Sequence, residues 1–388
     1  MKSTLLAVLA LAGLSLGHNC HAQEAPTADV QSQEAAASNT FAVDVFRNLA
    51  QTQPGNLVFS PTGLEAILRL LQQGARGETA AELNALPLGQ AVAFTAMNPQ
   101  EACALFLDDS FELKEGITVD SVYRLPLATN PVAAANAINN WVDIRTNGLI
   151  PAIVSAQDFS PLTRMVAAGA LYLKERWLHP FNRYATQQDV VFTQSDGTLA
   201  TVTMMHNQAD YRYAEGEDWQ AVALYYDTEG RLGEPGCFIG ILPKGDARDF
   251  ASSLTPDKFQ WIRESLALTY EQDTIVMLPR FEVNPGTLSL VSALNACGLN
   301  DIFTPTANFS GFSNNPLYIS NILQRCYVKT DEEGTEAAAV TAVTMDTWSA
   351  PPDSQFPREI IFNRPFIWVI CDLNTNTTPY FMGLFEQP

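Results

Sequence analysis

The chain has 388 residues, 47% hydrophobic and 16% charged, enough apolar content to fill one large domain or two average ones. A formal net charge of -20 excludes nucleic acid as a partner, because phosphates would be repelled, and favours solubility. Six scattered cysteines make neither a dense disulfide framework nor a CxxC metal site.

The first residues, MKSTLLAVLALAGLSLG, join one lysine to an apolar run too short to span a membrane and be retained. With Cys20, His21 and Ala22 beyond it, this pattern predicts a secretory signal peptide ending near Ala22 and an exported product, secreted or periplasmic. Lipid attachment at Cys20 is the lesser alternative, since His18 and Asn19 are a poor lead-in. No later stretch is a candidate membrane span. Once Cys20 leaves with the signal, Cys103, Cys237, Cys297, Cys326 and Cys371 remain as small buried hydrophobes. At most one or two bridges can form among them, and the sequence does not choose which.

Residues 23–38 are rich in Ala, Gln, Ser and Glu without periodicity and are expected to form a disordered leader. From Thr40 to Gln51 the apolar residues Phe41, Val45, Phe46 and Leu49 make a helix stripe. Pro54-Gly55 turns the chain into a short strand, Asn56 to Phe59. Ser60-Pro61 then opens a helix with Leu64, Ile67, Leu68 and Leu71 on one face, closed by Gly74. Asn136 to Val142 reads as a helix, and Thr163 to Trp177 as one long buried strand that turns polar only at Lys174. Val190 to Asn207, Gln220 to Pro243 and Thr274 to Val283 read as strands, and Leu288 to Cys297 as a helix. No linker or internal repeat divides residues 39–388, which are expected to form one domain.

Thr330 to Pro352, TDEEGTEAAAVTAVTMDTWSAPP, is the unusual stretch. Its alanines favour a helix, but Val340, Thr341, Val343 and Thr344 fit a pleated surface better. Read with period two, Thr335, Ala337, Ala339, Thr341, Val343 and Met345 share one face with no charge and nothing large until its end. That face could slide into a packed sheet. The opposite face keeps Glu336 and Asp346 and could stay wet.

This stretch resembles the reactive-centre loop of the serpin family. EEGTEAAA, comprising Glu332, Glu333, Gly334, Thr335, Glu336, Ala337, Ala338 and Ala339, is similar to the family's hinge, and IFNRPFIWVI (Ile361 to Ile370) to its C-terminal signature. The end of the chain, PYFMGLFEQP, resembles its closing strand pair, and NLVFSPTGLEAILRLLQQGARGETAAEL its passage into the shutter, the cluster that opens the central sheet. The resemblance covers about Asn39 to Pro388. It implies an α+β fold: a large central mixed β-sheet with further sheets, about eight or nine helices, and an exposed loop over about 332–352.

In LKERW, Lys174 and Trp177 keep the family's FKGxW frame, which puts Trp177 at the breach, the top of the central sheet where the hinge enters. Arg280 falls where the family has a basic partner for the hinge glutamate, here Glu332. In the shutter, Ser60 matches, whereas Gly63, Gly169 and Gln324 stand where the family usually has a Ser, an Asn and a His. Losing those together reads as coordinated replacement, since a half-satisfied buried network is costly, with Gln324 reaching across the space left by Gly169. Family spacing places the scissile bond at Trp348-Ser349, with Thr347-Trp348 and Met345-Asp346 as alternatives.

The resemblance implies a suicide-substrate inhibitor of serine endopeptidases, and cysteine endopeptidases are not excluded. It traps the acyl-enzyme by inserting its cut loop as a new strand. Trp348 implies chymotrypsin-like, elastase-like or subtilisin-like targets with an apolar pocket. The alternative is a non-inhibitory serpin acting as a binding or chaperone-like protein. The segment between Leu88 and Cys103 is short for the family, so the heparin-binding helix of some relatives is expected to be missing or truncated. That and the acidity speak against a sulfated-polysaccharide cofactor. No other cofactor and no metal is implied, and a monomer is expected.

Little points to an enzyme. Gly13-Leu14-Ser15-Leu16-Gly17 matches the hydrolase nucleophile elbow in letters but lies in the signal segment. Only His179 and His206 remain beyond that segment, neither in an HExxH pair, and no Walker loop or GxGxxG is present.

Overall fold

In the computed structural model, the described residues are 28–88, 97, 99–114, 121–233, 235–335, 356–374 and 378–388, with side chains from residue 39. The first helix, α1 (Ala28–Thr52), starts well before Thr40 and takes in most of the stretch expected to be a disordered leader. Those Ala, Gln and Glu residues lack an apolar stripe, but they are good helix formers, and lengthening an existing helix avoids the cost of nucleation.

A short strand, β1 (Leu57–Phe59), leads into α2 (Pro61–Gly74). Ser60 caps α2 by accepting a hydrogen bond from Gly63 N at 3.1 Å, with Pro61 set to open it. Next come α3 (Gly77–Ala85), β2 (Gln100–Asp108), β3 (Val122–Leu125) and α4 (Pro131–Arg145). The expected strand from Thr163 to Trp177 divides into β4 (Met165–Tyr172), buried along its whole length, and β5 (Glu175–Arg176). Gly197, with φ +81°, lies between β6 (Gln187–Thr193) and β7 (Leu199–Glu215), so the single run expected from Val190 to Asn207 is two antiparallel strands. Strands β8 (Trp219–Tyr225) and β9 (Gly236–Pro243) follow, then α5 (Ala247–Ser252) and α6 (Pro256–Leu268).

The expected strand from Thr274 to Val283 also divides, into β10 (Gln272–Pro279) and β11 (Phe281–Val283), because the chain passes from one sheet to another at Arg280. The helix expected from Leu288 is shortened: Leu288 and Ser289 form β12 against Gln324 and Leu323, leaving α7 as Val291–Ala296. The chain then runs through β13 (Ile319–Thr330), β14 (Gly334–Thr335), β15 (Arg358–Ile361), β16 (Phe366–Asp372) and β17 (Phe381–Phe385).

Two sheets carry the fold. One runs β1-β17-β16-β9-β8-β7-β10-β15, with β6 on β7. The other runs β3-β2-β4-β13-β14-β5, with β11 and β12 on β13, and it is mixed: β4 pairs parallel with β13 but antiparallel with β2. One face of β9 and β16 (Cys237, Ile239, Ile367, Cys371) joins a core with α1, α2 and α6, while the other (Phe238, Trp368, Ile370) packs with Leu171, Trp177 and Val328 of the mixed sheet. The mixed sheet is therefore a layer laid over the first, with helices beyond both. Seven α-helices and two 3-10 turns fall among the described residues.

Candidate functional site

The division between β4 and β5 marks the site. Over Met165–Tyr172, β4 is hydrogen-bonded directly to β13. Past Tyr172 the two strands part, and β14 lies between β13 and β5, antiparallel to both. Thr335 faces Thr330 on one side and Glu175 on the other. The first residues of the expected hinge thus already occupy the top of the mixed sheet, and below them the sheet is closed.

Residue type decides why these two positions fit. A Cβ on Gly334 would overlap the Glu175 carbonyl oxygen, so only glycine permits this approach of backbones. Thr335 is fully buried and exchanges a 2.7 Å hydrogen bond with the Tyr226 hydroxyl. Tyr226 stacks on Trp177 with ring centroids 4.8 Å apart and planes 8° from parallel. Phe181 and Phe238 meet the Trp177 indole edge-on. Trp177 Nε1 donates to Asp331 O and its backbone N to Glu333 O, both at 2.9 Å. Trp177 therefore reads the two backbone carbonyls that bracket Glu332.

Glu332 is buried to 3% side-chain exposure, and Arg280 holds it through both oxygens: Nε donates to Oε2 at 2.8 Å and Nη2 to Oε1 at 2.6 Å. Such a fork-to-fork pair is the strong geometry for a carboxylate. Thr186 Oγ1 adds a third hydrogen bond at 2.6 Å. Burial works to raise the Glu332 carboxyl, but the Arg280 and Thr186 hydrogen bonds outweigh it and hold its pKa below the ordinary carboxylate value. Arg280 is half exposed over a cleft of about 420 Å³ that Arg183, Lys329 and Asp331 also line. Arg183 pairs with Glu333 at 3.0 Å.

Sequence reasoning missed a second pair. Glu175, buried beside Thr335, is gripped by Arg231 from the β8–β9 connection, with Nη1 donating to Oε1 at 3.0 Å and Nη2 to Oε2. The one sequence signal was Glu175 itself, which stands where the FKGxW frame has glycine. Tyr226 and Thr186, which serve Thr335 and Glu332, had no signal at all.

Midway down the sheet, Gln324 and Gly169 face each other across β13 and β4. The Gln324 side chain is fully buried and reaches Ser60, accepting from its backbone N at 2.7 Å and donating to its carbonyl at 2.9 Å. Gly63 donates its backbone N–H to Ser60 Oγ, and a Cβ there would come within 2.6 Å of Leu171, so Leu171 fills the space a side chain would need. Ser60, Gly63, Gly169 and Gln324 thus meet at one place, with every named polar group paired. Glu336, Ala337, Ala338, Ala339, Trp348 and Ser349, like the short segment after Leu88, lie outside the described residues.

The serpin (serine protease inhibitor) family model matches residues 36–102 and 99–388. An uncharacterized serpin-like protein of Thermococcus kodakarensis is 32% identical over 379 residues, covering 91% of this chain and 85% of its own. The leukocyte elastase inhibitor of Bos taurus is 30% identical over 389 residues, covering 92% of this chain and 100% of its own. Among solved structures, the thermophilic serpin tengpin in its native state is similar with a TM-score of 0.78 at 23% identity, covering 94% of this chain and 96% of that one. Sequence and fold agree over nearly the whole length, and the chain belongs to the serpin family, a family of protease inhibitors rather than of enzymes.

Proposed function

We propose that this chain is a suicide-substrate inhibitor of serine endopeptidases. The observation that carries the reading is β14, two hinge residues seated between β13 and β5 at the head of a line where β4 and β13 are still paired. A target protease attacks the carbonyl of Trp348, forms the ester of an acyl-enzyme and releases the new amino end at Ser349. The freed strand then continues the line that β14 has begun, parting β4 from β13.

The energetics favour that direction. Parallel pairing, slightly less stable per residue, is exchanged for antiparallel pairing on both sides of the inserted strand, as β14 already has. About 15 inserted residues at roughly 3.3 Å each would carry the attached protease on the order of 50 Å. The intact chain is metastable, and the trap is kinetic: distortion of the protease outruns hydrolysis of the ester.

The tryptophan before the cut supports chymotrypsin-like or subtilisin-like targets, and the elastase inhibitor among the relatives supports elastase-like ones. The net charge of -20 supports action without a sulfated polysaccharide, and the amino-terminal pattern supports export. The reading is of a monomer needing no cofactor. The fully paired Gln324 bridge favours inhibition over a chaperone-like role, since the altered shutter is a working substitute. The test is a gel after mixing with chymotrypsin, subtilisin or elastase. An SDS-resistant conjugate is expected, and clean loop cleavage with active protease would overturn the reading.

A further inference from the structure

We propose that Cys237 and Cys371 form a disulfide that keeps the C-terminal segment covalently attached after the reactive loop is cut. The two residues face each other across β9 and β16, and both side chains lie on the helix-side face of that sheet, fully buried. Residues directly opposite in an antiparallel pair have Cα atoms about 4.5–5.5 Å apart, inside the range a disulfide spans.

The remaining cysteines cannot compete. Cys103 on β2 faces Gly169, and Cys326 on β13 faces Leu171, so these two stand on opposite sides of β4. Two strand spacings put them roughly 9–10 Å apart, beyond the reach of a disulfide. Cys297 follows α7 beside Asp44 and Arg47, away from the others.

The consequence comes from chain order. Residues 332–352, where the reactive loop is expected, lie between Cys237 and Cys371. Without a cross-link, a cut anywhere in that loop leaves β15, β16 and β17 held by packing and hydrogen bonds alone. With it, the cut chain stays one molecule. The proposal rests on the inhibitor reading only for where the cut falls.

Formation is thiol–disulfide exchange with a small disulfide such as oxidised glutathione. The Cys371 thiolate displaces one glutathione thiolate to give a mixed disulfide. Cys237 then loses its proton, and its sulfur displaces the second glutathione. Two protein thiols are oxidised as one glutathione disulfide is reduced to two thiols. Because both cysteines are fully buried in the folded chain, exchange takes place during folding, before β16 closes on β9.

The test is to refold the full chain in glutathione redox buffer and, separately, in excess reductant, then nick the loop with a catalytic amount of thermolysin, a zinc protease that forms no acyl-enzyme for the chain to trap. Peptide mapping after alkylation is expected to find a Cys237–Cys371 linked peptide only in the oxidised sample. On a gel without reductant the oxidised, nicked chain should run as one species, and reductant should release the C-terminal fragment. Cys237→Ala and Cys371→Ala should each release it without reductant; if either misfolds, the two redox samples of the unaltered chain still decide. Alkylation of both cysteines in the oxidised sample would overturn the proposal, whether or not a protease conjugate ever forms.

Discussion

Gln324 closes both backbone groups of Ser60, taking its N–H and giving to its carbonyl across 264 positions of sequence. One amide thereby ties the start of α2 to the middle of β13, one of the two strands that the proposed insertion would part. Removing it in Gln324→Ala would leave the Ser60 N–H buried without a partner, while the Ser60 carbonyl keeps its bond from Leu64 N at 3.0 Å. At about 1–3 kcal/mol for a buried group left unpaired, the uncut protein should lose on the order of 1–3 kcal/mol. Urea denaturation of the intact chain measures this, with the midpoint falling at unchanged slope.

Thr335 is where the hinge is most sensitive to size. It is fully buried and bonded to the buried Tyr226 hydroxyl, which Thr335→Val would leave without this partner, so the change should cost about 1–3 kcal/mol and leave trapping intact. Thr335→Arg would force a long charged side chain beside Glu175 and delay every later step of insertion. The stoichiometry of inhibition should rise several-fold, most of the mutant being turned over as substrate. Titration against active-site-calibrated chymotrypsin would show it.

The Arg280–Glu332 pair should matter more than a surface pair and less than a fully enclosed one, because Glu332 is buried while Arg280 is half exposed. Between about 0–1 kcal/mol for an exposed pair and 3–5 for a broken buried one, Arg280→Ala is expected to cost about 2 kcal/mol. The pair also sets an acid limit. A carboxyl whose pKa is depressed on folding stabilises the native state above its unfolded value, about 4.3, and that contribution is lost as pH falls through the lower native value. Urea midpoints should therefore fall with acid below about pH 4, and less steeply in Arg280→Ala.

Target choice should follow Trp348. Trp348→Arg should shift trapping from chymotrypsin-like toward trypsin-like proteases, because a pocket with a buried acid accepts arginine. Second-order rate constants with the two proteases should cross over by at least about tenfold, the scale of one pocket contact. Mass measurement of the C-terminal fragment should place its first residue at Ser349.

Much of the site was legible because it rests on residue types with few alternatives. Gly334 and Thr335 announce a tight entry, Ser60-Pro61 a capped helix, and Gln324 opposite Gly169 a replaced network. The breaks in two long strands were not legible. Thr163 to Trp177 and Thr274 to Val283 look continuous in hydrophobicity, and they divide because another strand enters at Lys174 and a second sheet takes over at Arg280. The Glu175–Arg231 pair was hidden because 56 residues separate its members and Arg231 lies in a loop without periodicity. The early start of α1 was missed for the opposite reason: its added turns are encoded by propensity alone, with no apolar stripe to reveal them.

Thermal unfolding of the chain before and after a single cut in the loop bears most directly on stored folding energy. Insertion of the cut strand should raise Tm; a gain of even about 5 kcal/mol corresponds to roughly 7 °C in a domain of this size. A nicked protein that melts at or below the temperature of the intact one would contradict a metastable native fold.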